Sequence, residues 1–139
     1  MASIVKAETP TICTEFIYRY KDGSSEVFPF RVGDLVRVKN WGCRYTTFQI
    51  ANNFFSGSTK SPYYSILGGG WRRQFPPRNK LFKVVAVVEH CYGRQVVTYI
   101  KDNENRYGVI GADGLEPFKT YPLAPGDTNE IVLEKLPRE

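Results

Sequence analysis

The chain has 139 residues, 42% of them hydrophobic and 24% charged, and a net charge of +5. That composition fits one globular domain able to bury a core without disulfide or metal staples. It excludes a disordered chain, and no run approaches the roughly 20 apolar residues of a membrane helix.

In chain order, Thr14 to Tyr20 alternates apolar and polar residues, the pattern of a strand. Asp22-Gly23 is a strong hairpin turn, and Glu26-Val27-Phe28 returns as its second strand, limited by Pro29. Val32-Gly33-Asp34 turns into a strand through Leu35, Val36 and Val38, with Arg37 and Lys39 on the alternate face. A long connection over 40–79 follows, too long for a featureless loop in a compact domain. A helix over 46–55 is expected within it: a Thr can cap its start, and Phe48, Ala51 and Phe55 would share a face. Gly68-Gly69-Gly70 and Pro76-Pro77 punctuate the remainder.

Lys80 to Glu89 is a β-branched strand. Turns at 91–93 and 101–105 separate it from strands over 95–100 and 106–110, and a turn over 111–114 leads into Leu115 to Phe118. Glu130 to Leu133 supplies a last short strand in the tail. Short strands with tight turns predict a mainly β domain spanning 1–139. The expected form is a small SH3-like barrel with an N-terminal hairpin, the 40–79 insertion and a C-terminal extension over 119–139.

Charge is distributed unevenly. Between Leu35 and Val88 there is no Asp or Glu, yet that stretch carries nine basic residues; the remainder has ten basic against fourteen acidic. Such asymmetry points to an anionic partner. Within the stretch, Trp71-Arg72-Arg73 and Arg78 interleave guanidinium groups with aromatics, and Arg44-Tyr45-Thr46-Thr47 beside Trp41 adds a second cluster. Arg pairs with phosphate bidentately and stacks on flat rings. Aromatic rings also stack on bases. Arg106 and Tyr107 on a later strand would complete a ligand site. The competing expectation is that Trp41, Tyr45, Phe48 and Trp71 pack the long connection onto the barrel.

Catalytic constellations are weak. His90 is the single histidine, and its neighbour Cys91 would point to the opposite face of a strand. Cys13, Cys43 and Cys91 are scattered without metal-ligand spacing, so neither a metal site nor a cofactor is expected, and a reducing compartment is favoured. Glu89, Asp102 or Glu104 are acids that a nucleotide hydrolase could use. The triple glycine lacks the lysine of a phosphate loop.

Phe30-Arg31-Val32-Gly33-Asp34-Leu35-Val36-Arg37-Val38 resembles the opening of many SH3-like barrel proteins. Gly42 to Phe48 and Tyr107 to Glu116 resemble small phage and prophage proteins. The resemblance covers residues 28–118 and leaves out the N-terminal hairpin and the tail. It implies a fold and a phage-like origin but hands over no catalytic residues. Phage proteins of this kind are often accessory factors acting on host defences, some of which sequester nucleotide immune signals. The expectation is therefore a non-catalytic protein that sequesters a small phosphorylated ligand or nucleotide in the cytoplasm of an infected bacterium, with no membrane partner. A nucleic-acid-binding module and an inhibitor of a host defence enzyme are the alternatives, and a homo-oligomer is compatible with all three.

Overall fold

The computed structural model describes residues 3–39, 48–51, 72–74, 80–90, 95–104 and 107–135; for 48–51 and 72–74 it describes the backbone alone. The fold is mainly β. Its strands are β1 (Phe16–Arg19), β2 (Ser25–Phe28), β3 (Leu35–Val38), β4 (Phe48–Ala51), β5 (Arg72–Gln74), β6 (Phe82–Glu89), β7 (Val96–Lys101), β8 (Tyr107–Gly111), β9 (Leu115–Lys119) and β10 (Glu130–Val132). One 3-10 turn, Ala112–Gly114, joins β8 to β9.

The β1–β2 hairpin forms where its turn chemistry predicts. Gly23 has a φ of 93°, and the Asp22 carboxylate accepts from the Ser24 N–H at 2.9 Å and its hydroxyl at 2.6 Å. Glycine reaches that positive φ without the steric cost of a Cβ. The hairpin does not stand alone: β10 adds to β1 in parallel, giving a three-stranded sheet ordered β10-β1-β2. Arg19 seals this junction with a two-point contact to Glu130, at 3.1 and 3.3 Å. Asn129 ties both chain ends to it, accepting from the Val5 N–H at 2.7 Å and donating to the Ser3 and Glu15 carbonyls.

Among the described residues the second sheet has seven strands, ordered β5-β4-β8-β7-β6-β3-β9. Its centre is the β6–β7–β8 meander, rich in β-branched residues that favour a pleated surface. One face packs against the small sheet in a continuous core. Phe16, Tyr18, Phe28 and Phe30 meet Val36, Phe82, Val84, Ile100, Ile110 and Leu115 there, and Leu123 and Leu133 from the C-terminal segment close it.

One expectation needs correcting. Phe48–Ala51 is a strand rather than part of a helix. It pairs with β8 on one side and β5 on the other, and that cross-strand pairing overrides the helical spacing of Phe48 and Ala51. Phe48 and Ile50 also favour strands. No pairing among the described residues joins β9 to β5, so barrel closure is not seen. The small sheet lies over the core, which can therefore be covered without the large sheet curling onto itself.

A bulge fixes which residues face where. Val84 pairs with Ile100 and Ala86 with Tyr99, leaving Val85 as an extra residue in β6. Phe82 and Val84 before the bulge and Val87 after it join the core, while Lys83, Ala86 and Val88 take the opposite face. Among the described residues no helix is long and apolar enough to cross a membrane.

Candidate functional site

The face of the large sheet turned away from the small sheet carries a transverse row of cations. Register places Lys119 opposite Leu35, Leu35 opposite Lys83, Lys83 opposite Lys101, and Lys101 opposite Tyr107. Strand alternation explains why all of them lie on one side. Phe82 and Val84 flank Lys83 and are buried, Val36 follows Leu35 and is buried, and Lys83 and Lys119 are exposed. Neighbouring strands sit about 4.8 Å apart, so the backbone of Lys101 lies about 5 Å from that of Lys83 and about 14 Å from that of Lys119.

Among the described residues, no carboxylate neutralises the charge on this row. Among the described residues, no carboxylate lies within ion-pair distance of Lys39, Lys83, Lys101 or Lys119. The nearby Arg37 is matched, at 3.4 Å, by Glu116. Lys80 is matched twice, by Asp102 at 3.0 Å and Glu104 at 3.4 Å. Unmatched lysines on a shared face repel one another, and an incoming anion relieves that repulsion.

Aromatic rings accompany the cations. The Lys101 ammonium sits 5.9 Å from the centre of the Tyr107 ring. At the opposite end, Arg37 lies over Phe118 at 5.5 Å and Lys119 over Tyr121 at 5.2 Å. Phe118 is an extra residue in β9, since Val36 pairs with Pro117 and Leu35 with Lys119. The irregularity leaves Phe118 55% exposed, and Tyr121 beyond it is 42% exposed.

Of the residues singled out in the sequence, Tyr107 belongs to this row. Arg72 and Arg73 lie on β5 at one edge of the same sheet, with β4 between them and the Tyr107 strand. Trp41, Arg44, Tyr45, Thr46, Thr47, Trp71, Arg78 and Arg106 fall outside the described residues. Lys83, Lys101 and Lys119 were not singled out. The alternation around Lys83 was legible, but its alignment with Lys101 and Lys119 depends on two bulges and on the return of β9 beside β3.

The acids considered for hydrolysis are committed elsewhere. Glu89 is 4% exposed; it accepts from the Lys21 N–H at 3.0 Å and faces the Lys135 ammonium at 3.7 Å. Asp102, also 4% exposed, accepts from the Glu104 N–H at 2.9 Å and holds Lys80. They lie at opposite ends of the β6–β7 hairpin, about 20 Å apart at 3.4 Å per residue. His90 follows β6, and its partial burial lowers its pKa below the ordinary value of 6.5. Its N–H donates to the Gln95 carbonyl at 2.9 Å. Cys91 lies outside the described residues, and Cys13 is buried.

The arrangement sets cations in register across several strands, with rings at both ends. Comparison with known proteins finds no matching family model, no similar curated protein and no similar solved structure.

Proposed function

We propose that this protein is a non-catalytic binder of a phosphate-bearing ligand, held on the outer face of its large sheet. The observation that carries the reading is the Lys119–Lys83–Lys101 row, which has no carboxylate partner among the described residues. It agrees with the acid-free stretch of sequence between Leu35 and Val88, to which Lys83 belongs. The resemblance to phage proteins supplies a setting: an accessory factor, built around an SH3-like core, that captures a nucleotide made by host defences. The arginines at Arg44, Arg72 and Arg73 would extend the same basic character.

A thermal-shift panel tests the reading. It holds cyclic dinucleotides, ADP-ribose-type compounds and short oligonucleotides, each at low and moderate salt. A ligand that binds only the native state raises the melting temperature by mass action. A rise with phosphorylated compounds, diminished in Lys83→Glu, is the expected result. No rise with any of them would reject the reading and make a protein partner the better one.

A further inference from the structure

We infer that the ligand of this face is single-stranded nucleic acid, its phosphates following the Lys101–Lys83–Lys119 row and its unpaired bases stacking at Phe118 and Tyr121. This rests on the phosphate-binding reading above and narrows it to one class of ligand.

The length of the row is the first reason. Three lysines without a carboxylate partner among the described residues, spread over about 14 Å of sheet, exceed what one compact phosphate group can engage, whereas a polynucleotide presents a phosphate at each step. The second reason is independent of charge. Phe118 and Tyr121 keep about half of their surface exposed although each has a cation over its ring. Large exposed rings beside a basic track are the pairing that single-strand binders use, because every unpaired base has a flat face to stack. A duplex keeps its bases stacked inside and offers those rings only its backbone. Leu35, half-buried between Lys83 and Lys119 in the row, adds an apolar step that suits a sugar or base more than a second phosphate. DNA and RNA share this chemistry.

Fluorescence anisotropy with labelled oligothymidylate and oligouridylate of about 12 nucleotides, and with a duplex of the same length, tests the inference. The expected result is single-strand affinity about ten-fold or more above duplex affinity. The logarithm of the association constant should fall with the logarithm of salt at a slope of about −2 for three phosphate contacts. Lys83→Glu and Lys119→Glu should each weaken binding and flatten that slope. Phe118→Ala should weaken binding about five-fold or more without changing the slope. All three positions are exposed, and unchanged melting midpoints would show the variants folded. Equal binding of duplex, or unchanged affinity in the Lys variants, would overturn the inference. Equal competition by a mononucleotide would overturn the polynucleotide assignment while leaving phosphate binding standing. Failure of every phosphorylated probe would overturn both.

Discussion

Asp34 is where three segments of the chain meet. One carboxylate oxygen accepts from the Arg31 N–H at 3.0 Å, closing the turn that contains Gly33 at a φ of 100°. The other accepts from the Tyr121 N–H at 3.1 Å, and the Asp34 carbonyl accepts from the Val84 N–H at 3.0 Å. Asp34 is almost fully buried, so both carboxylate contacts form away from bulk water, and they place Tyr121 beside the lysine row. Charge-assisted hydrogen bonds contribute more than neutral ones, so Asp34→Ala should destabilise the fold by about 2–4 kcal/mol. Urea denaturation reads this directly, and a loss within a few tenths of a kcal/mol would contradict the assignment.

His90 carries a pH dependence of definite sign. Burial makes the folded protein a poorer proton acceptor at His90 than the unfolded chain, whose imidazole titrates near 6.5. As pH falls through that value the unfolded chain protonates first, so stability is lost on the acid side and is level above it. Melting temperatures measured down to pH about 5.5 should fall in the wild type and fall less in His90→Gln. Equal slopes would remove His90 from the explanation. Glu130 works in a separate, more acidic window. The Arg19 hydrogen bond holds its carboxyl below 4.5, so that stabilising contact is lost only as pH drops through the lowered value.

At the scale of elements, local pattern and long-range pairing divide the fold between them. The strand over Phe16–Arg19, the Asp22-Gly23 turn, the Gly33 turn and the valine-rich β6 were all legible, because alternation and turn chemistry act over a few residues. The bulge at Val85 was not, since no residue type there demands one; it becomes visible only once β7 supplies a register. The helical spacing of Phe48 and Ala51 misled for the same reason in reverse: four residues can match either period until partners arrive. The pairing of β10 with β1 spans more than a hundred residues and leaves no local trace. It nevertheless determines whether the small sheet has three strands or two, and an isolated two-stranded hairpin is marginal in water. Removing 129–139 takes away β10, the Asn129 contacts to Val5, Ser3 and Glu15, and Leu133 from the core. That variant should lose its single sharp unfolding transition by circular dichroism. An unchanged transition would show that the N-terminal hairpin holds without its partner.

At the scale of the whole molecule, two sheets share one core, and the lysine row occupies the large sheet's other face. The sequence showed the charge asymmetry but not its address. Its basic stretch ends at Val88, yet Lys101 and Lys119 reach the row from beyond it because β7 and β9 fold back beside β6 and β3. Of the acids in the outer segments, Asp22 lies in the hairpin turn, Glu89 contacts the backbone of that turn and Glu130 pairs with Arg19 within the small sheet, all away from the row. Segregation of this kind concentrates positive potential on one face.

The most direct measurement is an amide NMR titration of the full chain with inorganic tripolyphosphate, which carries the phosphate charge and nothing else. Shifts should concentrate at Lys83, Lys101, Tyr107 and Lys119, fade with added salt, and leave Val27 and Glu130 on the small sheet unmoved. Shifts that avoid the row, or that gather on the small sheet, would contradict the assignment of this face as the binding surface.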